Sequence, residues 1–215
     1  MLEKIGLPNY QTISKADPIV LRCIAELRDR LADKNEFVFY EIGVGIGATT
    51  QAVAKLMDNL GQIYLFSRDK DVQELTRDLA GLGYTNVNSD WGSPPGVFAG
   101  YHFQLAMGFV EKKLPMFDLV YVDGGHIFHL DAPAACILKE LCKPGGYMLF
   151  DDWGWSMAKS PSRNPDVRPQ TLKEYDPQQI KVAHVKLVCN AIMDPDTRFQ
   201  FHGLESGTAI YQRKA

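Results

Sequence analysis

Apolar positions along the chain fall into two alternating patterns. Short continuous apolar runs stand at 37–40, 62–66, 117–122 and 147–150. Between them, apolar residues recur at helical spacing: Ile19, Cys23, Leu27 and Leu31; Val53, Ala54 and Met57; Val72, Leu75, Leu79 and Leu82. Continuous runs predict strands buried on both faces, and the alternation with helices predicts a mostly parallel sheet covered on both sides. Further helices are expected over 101–112, 130–141 and 177–193, and a short third strand over 85–88. Two last strands, 198–202 and 208–212, joined through 203–207, read as an antiparallel hairpin. Asp17-Pro18 has the form of an N-cap followed by proline at the first helical position. Residues 1–16 read as loop, and 32–35 as the end of the first helix. The stretch 154–176, with Pro161, Pro165 and Pro169, reads as a long surface segment beside a site.

The pattern breaks most sharply at 41–50. The strand over 37–40 runs into Glu41-Ile42, then Gly43, Gly45 and Gly47 at spacing two, then Ala48-Thr49-Thr50 at the head of a helix. Glycine allows positive φ and lets a ligand approach the backbone. The helix start adds unpaired N–H groups and a positive dipole end. The stretch therefore reads as a cradle for a nucleotide-like ligand.

Glu41 two residues before the first glycine, with glycines at 43, 45 and 47, resembles motif I of the class I S-adenosylmethionine (SAM) methyltransferases. The resemblance extends over roughly residues 36–213 and implies a Rossmann-like, doubly wound sheet of seven strands ending in an antiparallel hairpin. It implies that Glu41 helps hold the methionine end of SAM at the Gly43, Gly45, Gly47 loop. The second strand ends in Ser67-Arg68-Asp69. In nucleotide-binding α/β folds an acid at that point usually binds the ribose; here the place falls on Ser67, and the nearest carboxylate is Asp69. This departs from the family pattern. The family also places adenine near Asp90 and Trp91, where Asp90 reads equally as a turn residue.

Three carboxylates stand at strand ends: Asp123 after the fourth strand, Asp151 and Asp152 after the fifth. Ligands of open α/β sheets bind outside the carboxyl ends of strands. Converging acids repel one another, and a hard divalent cation such as Mg²⁺ resolves the conflict. The set is similar to the metal triad of the Mg²⁺-dependent O-methyltransferases of the catechol and the macrolide- or aminocoumarin-sugar types. That likeness implies that His126, three residues past Asp123, is the general base. A histidine suits proton removal near neutral pH. His129 is the competing candidate, and a plain loop histidine or acidic turn is the bland reading. Trp153 and Trp155 are either acceptor wall or ordinary packing.

The expected protein is thus one domain over 1–215, with an N-terminal helical segment over 1–35 and an active-site segment over 154–176. Its expected activity is Mg²⁺-dependent methylation of a sugar, catechol or other vicinal diol hydroxyl. The alternative is an NADP-linked reductase: Gly43, Gly45 and Ala48 also satisfy the loose dinucleotide pattern, and Ser67-Arg68 suits a 2′-phosphate. Against it, no tyrosine is followed by lysine four residues on, and the acids are left without a role.

Composition narrows the rest. At 215 residues with 46% hydrophobic and 23% charged residues, the chain is ordinary globular material. Net charge −3 argues against a general nucleic-acid binder. The opening eight residues have no long apolar run, and no stretch approaches a membrane span, so a cytoplasmic protein is expected, with monomer and homo-oligomer both open. Cys23, Cys136, Cys142 and Cys189 have no C-x-x-C spacing and read as reduced core residues in helical patterns.

Overall fold

A computed structural model describes residues 1–32, 36–96 and 99–215. Asp33, Lys34 and Asn35, expected at the end of the first helix, lie outside the described residues, as do Val97 and Phe98 of the 92–100 loop.

Seven strands form one sheet: β1 (Val38–Ile42), β2 (Gln62–Phe66), β3 (Val87–Asn88), β4 (Phe117–Val122), β5 (Cys142–Phe150), β6 (Phe199–Glu205) and β7 (Thr208–Arg213). Their order is β3-β2-β1-β4-β5-β7-β6. The first five are parallel, and β7 pairs antiparallel with both β5 and β6. The doubly wound expectation holds, including the terminal hairpin.

The helices on the way are α1 (Pro18–Glu26), α2 (Arg28–Ala32), α3 (Ala48–Met57), α4 (Asp69–Gly81), α5 (Tyr101–Val110) and α6 (Phe128–Leu141). The continuous apolar runs arise because each strand feeds two cores. Val38, Tyr40 and Ile42 face one side with Leu105 of α5 and Leu138 of α6. Phe37 and Phe39 face the other with Val20 of α1, Val53 of α3 and Leu75 of α4.

Several local expectations change. Residues 1–16 hold 3₁₀ turns at Leu2–Lys4 and Pro8–Ile13. Leu82 lies past the end of α4 and is 54% exposed, because the helix stops one residue short of it. Within 154–176 there is a 3₁₀ turn, Met157–Lys159, and a one-turn helix, α7 (Thr171–Glu174). The helix expected over 177–193 is three pieces: α8 (Pro177–Lys181), α9 (His184–Val188) and a π-turn, Cys189–Met193. Val182 and Ala183 take extended backbone and break it. The Lys143-Pro144-Gly145-Gly146 turn is part of β5, which bulges against β4. All four cysteines are free, but Cys136 is exposed and Cys142 sits in a strand.

Candidate active site

Strand order reverses between β1 and β4, the point where open α/β sheets bind ligands. The register Ile42↔Val122↔Phe150 puts Gly43, Asp123 and Asp151 next in line on three adjacent strands. Backbone bonds continue that register: Asp123 N donates to Ile42 O (2.8 Å) and Asp151 N to Val122 O (3.0 Å). The sheet itself therefore brings the glycine loop and the acids together.

Gly43 has φ +86°, and a Cβ there would stand 2.1 Å from the Asp123 carbonyl oxygen. Only glycine lets β1 and β4 turn out side by side. Gly45, at φ +50°, would point a Cβ into open space, and Gly47 (φ +89°) is the residue before α3. A cleft of about 390 Å³ opens above the loop, with Glu41, Gly43, Gly45, Asp123, Asp151 and Asp152 in its lining.

Glu41 is buried, and its Oε2 accepts from Thr50 Oγ1 at 2.7 Å. Burial pushes its carboxyl up to about 8, against the opposing pull of the Thr50 hydrogen bond. Glu41 has no cationic partner among the described residues, and a strand-end acid so placed in a cleft is suited to meet a cationic ligand.

Asp123 Oδ1 and Asp152 Oδ2 each lie 3.5 Å from His126 Nε2. One ligand atom from each of these three residues falls within 4.8 Å of the others, a spacing that would hold a metal ion. Burial, then the charges of Asp151, Asp152, Glu41 and Asp17, hold the Asp123 carboxyl well above the carboxylate range. Asp152 is also raised, by burial first and Asp151 after it, while His126 pulls it down. Asp151, expected as the third ligand, is turned differently. Its Oδ2 accepts from Tyr121 Oη (2.8 Å) and its Oδ1 from Thr208 Oγ1 (2.7 Å). The converging trio is thus Asp123, His126 and Asp152, with Asp151 beside it in the cleft. Both oxygens of Asp151 are taken because β5 lies between β4, which presents Tyr121, and β7, which presents Thr208.

The loop carrying His126 is built from α5 and α9. Gly125 N donates to Tyr101 Oη (3.1 Å), and the Tyr101 hydroxyl in turn donates to buried Asp131. Phe128 N donates to Nδ1 of buried His184 (2.9 Å), which sets the start of α6. His129, the competing base, stacks on Tyr175 instead (6.4 Å, 25°). Burial lowers its pKa.

The adenosine-side residues do not line this cleft. Ser67 and Asp69 flank the end of β2, where Ser93 N donates to Ser67 O (2.7 Å) and Asp69 N to Ser93 O (2.8 Å). Asp90 is exposed, and its N–H donates to Asn88 Oδ1 (3.1 Å). Trp91 packs on Phe66 (6.3 Å, 28°). Arg68, the residue that suited a 2′-phosphate, is paired with Asp71 (2.6 Å).

Residues that sequence reasoning missed come from the N-terminal segment: Thr12, Ile13, Lys15 and Asp17 line the cleft opposite the glycine loop. Asp17 caps α1 as expected, its Oδ1 accepting from Ile19 N (2.7 Å). Its N–H also donates to Thr49 Oγ1 (3.1 Å), which ties the segment to α3. The cap was legible in Asp17-Pro18; the long-range tie was not.

Residues 40–153, more than half the chain, match the family described as methyltransferase domain. The chain belongs to this family, in keeping with the SAM-methyltransferase signature of its glycine loop. Among solved structures it is similar to the O-methyltransferase TomG from Streptomyces achromogenes, determined with SAM. Identity is 14% and the TM-score 0.62, over 100% of this chain and 89% of TomG. An O-methyltransferase from Bacillus cereus in complex with SAH is 14% identical, with TM-score 0.61, over 99% and 90%. MycE of the mycinamycin pathway, solved with Mg and SAH, is 19% identical with TM-score 0.57, over 99% of this chain and 52% of MycE. At these identities the likeness is one of fold. No curated protein matches the sequence. The family match leaves the NADP-linked alternative without support. Among the described residues, no helix is long and apolar enough to cross a membrane.

Proposed function

We propose that the protein is a SAM-dependent O-methyltransferase that acts on a small-molecule hydroxyl with the help of a divalent cation. The observation that carries this reading is His126 Nε2 standing 3.5 Å from both Asp123 Oδ1 and Asp152 Oδ2 beside the glycine-loop cleft. The solved relatives named above support it through what they hold, SAM or SAH and, in MycE, Mg.

The residues suit both groups. Gly43 and Gly45 keep side chains off the floor of the cleft, and buried Glu41 presents a carboxyl to a cationic ligand there. Asp123 and Asp152 supply the hard oxygen donors that Mg²⁺ takes. Imidazole suits softer divalent ions, so with Mg²⁺ the two acids do the holding and His126 stays free as a base. Ser67, Asp69, Asp90 and Trp91 stand as the adenosine side of the same reading.

A divalent cation bound by the acids would supply positive charge that lowers the pKa of an acceptor hydroxyl. SAM bound at the Gly43, Gly45 and Gly47 loop would supply the methyl group together with a sulfur leaving group able to keep the electron pair of the S–CH₃ bond. His126 takes the hydroxyl proton on Nε2. Asp123 and Asp152 stabilise the imidazolium that results. The Tyr101–Gly125 contact keeps the histidine loop in register with the strand ends, where positioning contributes most. Calorimetry with SAM and with NADPH, each with and without Mg²⁺, tests the reading. SAM binding with no NADPH binding is the expected result; the reverse overturns it.

A further inference from the structure

The segment between β5 and β6 holds a cation that the reaction just described does not use. Its backbone is fixed by its own side chains. Arg163 N donates to Ser160 Oγ (3.1 Å), and Arg163 O accepts from Thr171 Oγ1 (2.9 Å). Asn164 Nδ2 donates to Ala158 O (2.8 Å). Ser160 and Thr171 are buried. Arg163 is therefore set in place from both sides.

Its guanidinium lies over the Trp155 ring, Cζ 5.8 Å from the centroid. The same indole is 5.7 Å from the His126 ring. One aromatic plate thus touches both the base and the cation. Arg168, five residues on, is used up in a bidentate pair with Glu174 (2.6 and 2.8 Å). The other half-buried arginines, Arg30, Arg198 and Arg213, also donate to carboxylates or carbonyls. Among the described residues, Arg163 is the one half-buried arginine whose guanidinium has no such acceptor. Partial burial strips water from a cation, and stacking on a ring replaces only part of what is lost. The planar fork of donors matches a carboxylate or phosphate.

We propose that Arg163 binds an anionic substituent of the methyl acceptor, a carboxylate or a phosphate ester, while the acceptor's hydroxyl meets His126. The acceptor is then a hydroxylated acid or phosphate and not a neutral diol. Trp155 serves as the plate between the two ends, which gives it a role beyond packing. This inference rests on the O-methyltransferase reading above.

Matched acceptors test it. Glucose, glucuronate and glucose 6-phosphate share one body with three substituents; catechol and 3,4-dihydroxybenzoate form an aromatic pair. With SAM and Mg²⁺, a charged member should exceed its neutral partner in kcat/KM by about 10- to 100-fold, the range of a charge-assisted hydrogen-bond pair. Carboxylate and phosphate arms identify which anion fits. Arg163→Gln should close the gap, and Arg163→Lys should restore part of it. Quenching of Trp155 fluorescence by the same compounds, with Trp155→Phe as control, reads binding without turnover. No charge preference in turnover or quenching, or a preference that survives Arg163→Gln, overturns the inference. Failure of SAM to bind in calorimetry overturns the O-methyltransferase reading, and quenching then still reports on Arg163 separately.

Discussion

His126 Nε2 faces Asp152 Oδ2 at 3.5 Å, and both residues hold left-handed backbone, φ +51° and +55°. Non-glycine residues seldom adopt this conformation, and it persists where surrounding contacts dictate it. Here the contacts are visible: Gly125 N bonds Tyr101, and Trp155 N donates to Asp152 O (2.8 Å). Two strained residues facing one another at the strand ends mark where backbone preference yields to the site. Relieving the strain should therefore stabilise the fold. His126→Gly is expected to be more stable than His126→Ala by about 1 kcal/mol, measured by urea unfolding. Equal stability would mean that the loop relaxes freely.

The same pair of variants probes the base. Both should bind SAM normally, because the cofactor cleft is lined by other residues. Both should lose turnover by about 10²–10⁴-fold, the usual worth of a positioned base. The loss should shrink at high pH, where hydroxide or an already ionised acceptor substitutes. His129→Ala, stacked away on Tyr175, should keep most activity. Full activity in His126→Ala would move the base elsewhere.

Glu41 should make stability depend on pH. Its folded carboxyl titrates near 8, pushed up by burial, whereas an unfolded glutamate titrates near its ordinary 4.5. The folded state thus binds the proton more tightly. Below pH 4.5 both states are protonated and no penalty exists. Stability then falls as pH rises to 8, by a few kcal/mol, and levels off above it. Glu41→Gln should remove this slope and raise the melting temperature of the ligand-free protein at pH 8, while weakening SAM. Thermal melts at pH 5 and pH 8 check the sign; a flat difference between the two would be inconsistent with a buried, protonated Glu41.

The two central glycines should fail differently. A Cβ at Gly43 meets backbone at 2.1 Å, so Gly43→Ala should not yield folded protein. Nothing lies within 4 Å of a Cβ at Gly45, so Gly45→Ala should fold, at a cost of about 1–2 kcal/mol for its positive φ. Gly45→Val should block SAM. A folded Gly45→Val protein with unchanged SAM affinity would refute the loop assignment.

Much of this was written in local sequence. Strands buried on both faces show as unbroken apolar runs, and Phe37 to Ile42 alternate between the two cores as the pattern requires. The Asp17-Pro18 cap and the glycine turn are also local signals. What the pattern could not carry depends on partners distant in the chain. Asp151 and Asp152 are neighbours with like chemistry, and the flanking strands tell them apart: β4 places Tyr121, and β7 places Thr208, beside Asp151. The break at Val182 is hidden because its flanks keep helical spacing. Lys15 and Thr12 enter the cleft through a fold-back that no periodicity records.

That distinction between the two acids leads to the sharpest test. Asp151 accepts from Tyr121 and Thr208, and Thr208 is fully buried. Removing the carboxylate leaves buried Thr208 Oγ1 without its acceptor and Tyr121 Oη with only the long bond to Asp17 Oδ2 (3.4 Å), so Asp151→Ala should destabilise the fold by about 1–3 kcal/mol. Asp152 has a side chain 49% exposed and no hydroxyl partner among the described residues, so Asp152→Ala should leave stability nearly unchanged. For the metal the order reverses. Asp152→Ala and Asp123→Ala should abolish divalent-cation binding and activity, while SAM binding persists. Asp151→Asn, which keeps an acceptor oxygen for one hydroxyl, should retain more cation affinity than either. Calorimetry with Mg²⁺ and Mn²⁺ on the three variants, beside their unfolding curves, reads both effects. If Asp151→Asn lost the cation as completely as Asp152→Ala, the triad of Asp123, Asp151 and Asp152 would be the working ligand set, with Asp151 turning from Tyr121 and Thr208 to bind. Unimpaired activity in a chelator-treated wild type would remove the metal role altogether and leave His126 flanked by two acids that hold no ion.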